Sequence, residues 1–319
     1  MNKIGKPNLE IFSETLMSEA KKNKDIIVVT SDSRGSGKLV HFGKELPDQI
    51  IEVGIAEQNL VGVSVGLAAG GKIVFVVSPA SFLTARSLEQ IKNDVAYSDR
   101  NVSLIGISAG ISYGLLGSTH HSIHDFATLR AINNMTIVAP ADNFEASQAI
   151  KQSISYDHPL YIRYGKKPMM DIHPPGTEFK IGKSIVVKKG EDLTIVATGE
   201  TLQRAYLASE ILKESNIHCS IISMHTIKPF DKKTFIEFSK NSKAILTVEE
   251  HSIFGGLGEC CASLIAQNNI NVKLKILGIP DEYMINGSQA DVLDHYCLLY
   301  TSDAADEGLG VDLGGRRII

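Results

Sequence analysis

The segment 51–71, IEVGIAEQNLVGVSVGLAAGG, places an acidic residue at the start of a helix built from small residues. Glu57 falls in the first turn of the predicted helix, after a short apolar strand and a glycine turn. Gly62, Gly66 and Gly70 share one helix face, on which a second backbone or a flat ligand could lie close. A carboxyl group in such a poorly solvated place can share a proton with a bound molecule. The alternative is a carboxylate that only complements the helix dipole.

Two other polar stretches imitate known motifs without meeting their requirements. His120 and His124 are one helical turn apart, as zinc ligands can be, but no third ligand follows at a convincing spacing, so we expect no metal site. Residues 30–38, TSDSRGSGK, look like a nucleotide phosphate loop. That loop type needs Gly where Asp32 stands and Ser or Thr where Leu39 stands, so the stretch does not qualify.

The elements that must position these groups alternate between strand and helix. The first half predicts strands at 25–30, 72–78, 102–108, 136–139 and 159–164, and helices at 8–23, 56–69, 84–96, 123–131 and 143–155. The second half predicts strands at 193–197, 219–223, 244–248 and 272–277, and helices at 201–215, 232–240 and 258–267. This alternation favours an α/β fold with two doubly wound domains, each a mostly parallel sheet with helices on both faces. We place the domains at 1–166 and 191–296, with a linker containing Pro and Gly at 167–190.

Composition and charge narrow the class of protein. The 319 residues are 43% apolar and 21% charged, as in globular proteins, and the net charge of −4 gives no basic surface for nucleic acid or an anionic membrane. The start MNKIGKPNLE lacks the apolar core of a signal peptide, and no apolar run reaches the roughly 18 residues of a membrane span. The four cysteines form no C-x-x-C pair, so neither a disulfide framework nor a zinc site is expected. We therefore expect a cytoplasmic protein that binds neither nucleic acid nor membrane.

The last stretch, residues 297–319, reads CLLYTSDAADEGLGVDLGGRRII and has neither helical nor strand period. One permitted reverse translation of residues 297–302 is TGTCTCTTATACACATCT, which looks like the transposon end used in sequencing-library preparation. We hypothesise that 297–319 is adapter read-through and not native sequence, and an unusual natural tail is the alternative. Resequencing the locus from an independent library distinguishes the two.

Several stretches in a fixed order resemble one protein family. They are GIAEQ at 54–58, the run STHHSIHDFATLRAINNMTIVAPADNFEA at 118–146, Lys228-Pro229, and VEEHSIFGGLG at 248–258. Together they resemble the C-terminal half of transketolase and of deoxyxylulose-phosphate synthase, thiamine-diphosphate enzymes that move two-carbon units. The resemblance implies that 1–166 is a pyrimidine-binding domain and that 191–296 is the family's C-terminal domain.

The resemblance also implies a cofactor, thiamine diphosphate, and residues around it. Glu57 would bond the pyrimidine ring of the cofactor and share a proton with it. Phe82 would stack on that ring, where the alternative is an ordinary core phenylalanine. Asp32 and Ile55 would touch the cofactor, and His120 would bond a substrate oxygen and move protons near neutral pH.

Among the substrate contacts that the resemblance implies, two positions depart from the family pattern. Ser36 would bind a substrate phosphate, and so would Arg163, for which a structural ion pair is the alternative. Leu116 stands where transketolases usually have an Asp that reads a donor hydroxyl, and Ser108 stands where many have a phosphate-binding His. Because a missing buried hydrogen-bonding group changes discrimination by orders of magnitude, we expect an unusual donor: a modified sugar, or a less hydroxylated ketone such as pyruvate.

The family's other motif, a G-D-G followed by an Asn, which holds Mg²⁺ and the cofactor diphosphate, does not occur in this sequence. The resemblance therefore implies one subunit of a split transketolase, a transferase completed by a separate N-terminal, diphosphate-binding subunit that holds Mg²⁺. It also implies self-association across a dimer interface, giving a heterotetramer. Two alternatives stay open: the β subunit of a 2-oxoacid dehydrogenase first component, and a non-catalytic paralogue.

Overall fold

The computed structural model describes residues 3–296 and residue 298, so the rest of the segment 297–319 lies outside the described residues. The elements of the first half are β1 (Ile4–Pro7), α1 (Asn8–Ala20), β2 (Ile26–Thr30), α2 (Val40–Glu45), β3 (Ile50–Glu52), α3 (Glu57–Ala69), β4 (Ile73–Pro79), α4 (Ala80–Arg86), α5 (Leu88–Gln90), β5 (Val102–Ile107), α6 (Asp125–Arg130), β6 (Thr136–Val138), α7 (Asn143–Ser153), β7 (Leu160–Tyr164) and β8 (Pro168–Met170). The elements of the second half are β9 (Ile185–Lys188), β10 (Leu193–Ala197), α8 (Leu202–Glu214), β11 (Cys219–Ser223), β12 (Thr226–Lys228), α9 (Lys232–Asn241), β13 (Ala244–Ser252), α10 (Leu257–Gln267), β14 (Lys273–Ile279) and α11 (Gln289–His295).

The first sheet has seven strands in the order β12-β6-β7-β5-β4-β2-β3. Neighbouring strands from β6 to β3 are parallel. β2 (IIVVT) and β5 (VSLIGI) are buried at every residue, which explains their unbroken apolar runs. Leu9 and Phe12 of α1 share one apolar cluster with Val28, and Leu60 of α3 shares another with Val76. Both faces of the sheet are therefore covered by helices.

The second sheet has five strands in the order β14-β13-β10-β11-β9. All its pairs are parallel except the edge pair of β9 with β11. Ala205 of α8 lies in a cluster with Ile195, whereas Phe235 of α9 and Cys261 of α10 lie in a different cluster with Val196. Two mostly parallel sheets with helices on both faces confirm the predicted fold class. Within residues 3–296, no helix combines the length and apolarity that crossing a bilayer requires.

Several short antiparallel strands are not predicted by the hydrophobic pattern, and one of them joins the two halves. β12 comes from the second half, yet it pairs with β6 at the edge of the first sheet, where Thr226 lies opposite Val138. β1 pairs with β8, which ties residues 4–7 to the predicted linker 167–190. β9 also lies within that predicted linker and belongs to the second sheet. The domain limits given above stay a prediction.

The helix predicted at 84–96 is divided into α4, α5 and a π-helical segment, Ile91–Tyr97. The interruption falls at Ser87, whose hydroxyl donates to the Leu83 carbonyl oxygen over 2.6 Å. Such a side-chain bond competes with the backbone ladder and bends a helix. α4 is therefore a short element of its own, directly after β4.

Candidate active site

Most residues predicted for the site follow the carboxyl ends of strands in the first sheet. Asp32 follows β2, Glu57 follows β3, Phe82 follows β4 and Ser108 follows β5. Arg163 lies one residue before the end of β7. Because these strands are parallel, their carboxyl ends meet at one edge of the sheet, where doubly wound folds bind ligands.

Glu57 begins α3 and is buried, with 5% of its surface exposed. Its carboxylate oxygen Oε1 accepts a hydrogen bond from Arg86 Nη1 of α4 over 2.9 Å. The Arg86 side chain is 49% exposed, so the ion pair joins a buried acid to a base at the surface. Gly62 and Gly66 of α3 lie on a face where an added Cβ would meet no atom within 4 Å. This glycine face of α3, on the side of the helix away from Glu57, is therefore open.

Glu57 and Phe82 both contact the planar guanidinium group of Arg86. While Arg86 Nη1 bonds Glu57, the guanidinium carbon lies 4.2 Å from the centroid of the Phe82 ring. A guanidinium is a flat cation whose N–H groups point outward in its own plane, as the N–H groups of a protonated aminopyrimidine do. A carboxylate at the edge and an aromatic ring at the face are thus placed for a flat heterocycle, and these residues fit the pyrimidine ring of thiamine diphosphate.

A row of aromatic and basic side chains continues from Phe82. The His120 ring lies edge-on to Phe82, with 5.2 Å between centroids, and edge-on to Tyr113, with 5.3 Å. The Lys166 ammonium lies 3.8 Å from the Tyr113 centroid. Thr119 Oγ1 is 2.9 Å from His120 Nδ1, which orients the imidazole. The structure therefore places His120 beside the residues that would hold the cofactor ring.

The loop after β2 is anchored by Glu52. The backbone N–H groups of Asp32 and Gly54 both donate to Glu52 Oε1, over 2.6 and 3.1 Å. Asp32 has a φ of 50°, and its side chain is exposed. Ile55, one residue beyond Gly54, is 73% exposed. Both predicted cofactor contacts therefore lie on the solvent side of the site.

Two lysines and a serine lie in one part of the site, where Lys38 Nζ also pairs with Glu10 Oε1 over 3.2 Å. Burial lowers the pKa of the Lys166 ammonium, and repulsion from Lys38 adds to the shift. Ser36 lies in the same loop as Lys38, and its hydroxyl donates to the Ser33 carbonyl oxygen over 3.3 Å. Cations that repel each other gain from a phosphate placed between them.

The two departures from the family pattern differ in exposure. Ser108 is fully buried and has a φ of 55°. Burial raises the pKa of the Tyr113 phenol, and the Ser108 hydroxyl opposes that shift. Leu116 is 55% exposed and ends the short turn Gly114–Leu116. Leu116 therefore presents an apolar surface where an Asp would present a charge.

Arg163 is occupied by contacts within the chain. Its Nη1 donates to Asp125 Oδ1 over 3.0 Å and its Nη2 donates to the Glu250 carbonyl oxygen over 2.9 Å. Its guanidinium carbon lies 4.4 Å from the Phe126 ring centroid, and 9% of its side chain is exposed. Because Glu250 belongs to the second half, these contacts favour the alternative of a structural ion pair. The substrate role of Arg163 stays a prediction.

Three residues of the site carry no sequence motif: Arg86, Tyr113 and Lys166. Arg86 stands four residues after Phe82, which puts both on one face of a helix, and that spacing is a signal that could have found it. Tyr113 and Lys166 approach each other from loops after different strands, β5 and β7. Only the folded chain brings them together.

Comparison with known proteins identifies the family. Residues 7–170 match the family model described as transketolase, pyrimidine binding domain, and residues 182–300 match transketolase, C-terminal domain. The chain belongs to the transketolase family, whose cofactor is thiamine diphosphate.

Individual relatives define its place in that family. The chain is 45% identical over 288 residues to an apulose-4-phosphate transketolase subunit of Phocaeicola vulgatus, and the match covers 90% of this chain and 92% of the relative. It is 34% identical over 272 residues to 6-deoxy-6-sulfo-D-fructose transketolase subunit SqwH of Clostridium sp. (strain MSTE9), covering 85% and 84%. A solved structure described as split gene transketolase, inactive beta4 tetramer, matches with a TM-score of 0.87 at 29% identity, covering 96% and 99%. The chain is the C-terminal subunit of a split transketolase, as predicted, and these relatives favour that assignment over the 2-oxoacid dehydrogenase alternative.

Proposed function

We propose that this chain binds the pyrimidine ring of thiamine diphosphate and, with a partner, transfers a two-carbon ketol unit between sugar substrates. When bound, the cofactor supplies a thiazolium carbon that stabilises the transferred carbanion. One observation carries the proposal: Glu57 and Phe82 hold the same planar, N–H-bearing group, Glu57 Oε1 by a 2.9 Å hydrogen bond and Phe82 through a 4.2 Å ring contact.

In this proposal each side chain has a separate task. Glu57 bonds the edge of the pyrimidine ring and exchanges a proton with it, while Phe82 sets the plane of the ring. Asp32 and Ile55 contact the cofactor from the exposed side. His120, which lies edge-on to Phe82, donates to or accepts from a substrate oxygen near neutral pH.

We also propose that the substrate phosphate lies against Ser36, Lys38 and Lys166. This assignment keeps the predicted role of Ser36 and adds the two lysines whose mutual repulsion a phosphate would relieve. Ser108 would line the same end of β5 from its buried position. Arg163 would then act by joining the two halves.

A separate N-terminal subunit would hold Mg²⁺ and the cofactor diphosphate. The Phocaeicola relative is itself named as a subunit, which supports a partner, and the split-gene structure is described as an inactive beta4 tetramer, which supports self-association. The heterotetramer combines the two. Gly62 and Gly66 leave one face of α3 open, which gives a neighbouring subunit room to approach closely. A cytoplasmic location remains a prediction from composition.

Mixing experiments test this proposal. The chain alone should show neither Mg²⁺-dependent binding of thiamine diphosphate by calorimetry nor donor-dependent turnover. Both should appear after addition of a separate diphosphate-binding subunit that carries the G-D-G motif, because only then are both ends of the cofactor held. Binding and turnover of a ketose by the isolated chain would contradict the divided site.

For the donor, we propose a modified sugar phosphate that lacks the hydroxyl read by an Asp in other transketolases. The names of the two relatives, with apulose 4-phosphate and 6-deoxy-6-sulfo-fructose, support a sugar over pyruvate. Leu116→Asp should therefore shift the ratio of kcat/KM values toward a standard ketose phosphate by about ten- to a hundred-fold. Competition assays with both donors measure this ratio.

Leu115→Asp is a matched control, because Leu115 is 79% exposed and precedes Leu116 in the same turn. A charge at Leu115 should leave the donor ratio unchanged. Equal shifts in the two variants would mean that the net charge of the turn sets the donor ratio and that position 116 does not contact the donor hydroxyl.

A further inference from the structure

Arg86 makes both of the contacts that the cofactor ring requires. Its Nη1 lies 2.9 Å from Glu57 Oε1, and its guanidinium carbon lies 4.2 Å from the centroid of the Phe82 ring. A heterocycle stacked on the same face of Phe82 would need the volume that the guanidinium fills. The ring and the guanidinium therefore exclude each other.

We propose that Arg86 holds the cofactor site in the free subunit and is displaced by the pyrimidine ring as the ring binds. This inference rests on the proposed function, since it takes Glu57 and Phe82 as the residues that hold the ring. Arg86 is a positioning residue here: it touches Glu57 and Phe82 before the ring arrives and leaves afterwards.

The exposures of the two partners explain why Arg86 is the one that moves. Glu57 is 5% exposed and sits in the first turn of α3, so its carboxylate stays where it is. Arg86 is 49% exposed on a long side chain, and such half-exposed ion pairs are weak. A buried carboxylate without a partner is costly. Arg86 supplies that partner until the ring replaces it.

Loss of the Arg86 charge should therefore favour the cofactor. In the assembled complex of the full chain with its diphosphate-binding subunit, Arg86→Met should bind thiamine diphosphate with Mg²⁺ about five-fold more tightly and associate faster. Calorimetry gives Kd and stopped-flow mixing gives the association rate. Raising the salt concentration should reduce the difference in Kd between wild type and variant, because salt screens the Arg86–Glu57 ion pair of the wild type.

Lys92→Met is the charge-matched control, since Lys92 lies on the following π-helical segment and lines a separate cavity with Leu88 and Tyr97. It should leave Kd unchanged. If the wild-type complex binds no thiamine diphosphate, the proposed function fails and this inference fails with it. If the wild type binds and Arg86→Met binds equally or more weakly, only this inference is overturned, because Arg86 then does not compete with the ring.

Discussion

Glu57→Gln is expected to lower the turnover of the assembled enzyme by about a thousand-fold, within the range measured for the loss of a proton-transferring group. The amide keeps the size of the side chain and can still accept a hydrogen bond from Arg86. It cannot take up or hold a proton at the edge of the pyrimidine ring. Initial rates with the natural donor, together with gel filtration of the complex, measure turnover and assembly separately.

Glu89→Gln provides the control for Glu57→Gln, because Glu89 is an exposed acid on the neighbouring helix α5. Its turnover should equal that of the wild type. Unchanged turnover in Glu57→Gln would remove the catalytic role and favour a non-catalytic paralogue. Loss of turnover with loss of assembly would instead mean that Glu57 holds the fold or the subunit contact.

The second large effect concerns stability and comes from a buried histidine in the predicted linker. His173 Nδ1 lies 2.7 Å from Asp142 Oδ2, and its Nε2 lies 3.2 Å from Glu145 Oε1. Only 1% of the His173 side chain is exposed. Glu145 Oε1 also accepts a hydrogen bond from Ser223 of β11 over 2.6 Å. One charged histidine thus joins the linker, the start of α7 and the second sheet.

His173→Asn should lower the free energy of unfolding by about 3–5 kcal/mol, because it leaves two buried carboxylates without their cation. Burial opposes the charge on His173, but Asp142 and Glu145 outweigh it and raise its pKa to about 10. A raised pKa gives stability that is fully present below about pH 6.5 and is lost as the pH rises toward 10. The difference between wild type and variant should therefore be larger at pH 6 than at pH 9.5.

Urea denaturation at both pH values measures this difference. His158→Asn is the control, since His158 pairs with Asp99 at 3.1 Å but both side chains are about half exposed, at 55% and 50%. Exposed pairs of this kind contribute little, so His158→Asn should cost well under about 1 kcal/mol. Equal costs for the two variants, or a cost for His173→Asn that does not depend on pH, would contradict a buried ion triad.

The central strands of the sheets could be predicted from the sequence because they are buried on both faces. Runs such as IIVVT and VSLIGI leave little choice of structure, and the helices between them follow the 3.6-residue period. β1, β8 and β12 have only three or four residues each. They have no period of their own and exist because a partner strand lies beside them.

The residues of the candidate site also fall into those that the sequence could predict and those that it could not. Glu57 and His120 could be named because each sits in a stretch that resembles the family, and Phe82 because the resemblance implies an aromatic residue at its place after the strand. The partner of Glu57 could be reached only through the four-residue spacing of Arg86 from Phe82, because Arg86 lies on an exposed helix surface where any charged residue is acceptable. Arg163 is predicted from the sequence but has a different setting in the structure. Its position at the end of a strand predicts an anion site, but only the fold reveals that Asp125 and the Glu250 carbonyl oxygen already accept hydrogen bonds from it.

The strand β12 has a consequence for how this polypeptide can be recombined with others. Thr226–Lys228 completes a sheet whose other strands all come from residues before 165. A version cut at the linker would lose this strand and leave β6, with its unpaired backbone groups, as an edge that can pair with other molecules. A chain truncated at the linker should therefore aggregate, and a chimaera with a foreign second half keeps the sheet only if the incoming segment pairs with β6 as Thr226–Lys228 does. The two halves therefore form one folding unit, even though each contributes most of one sheet.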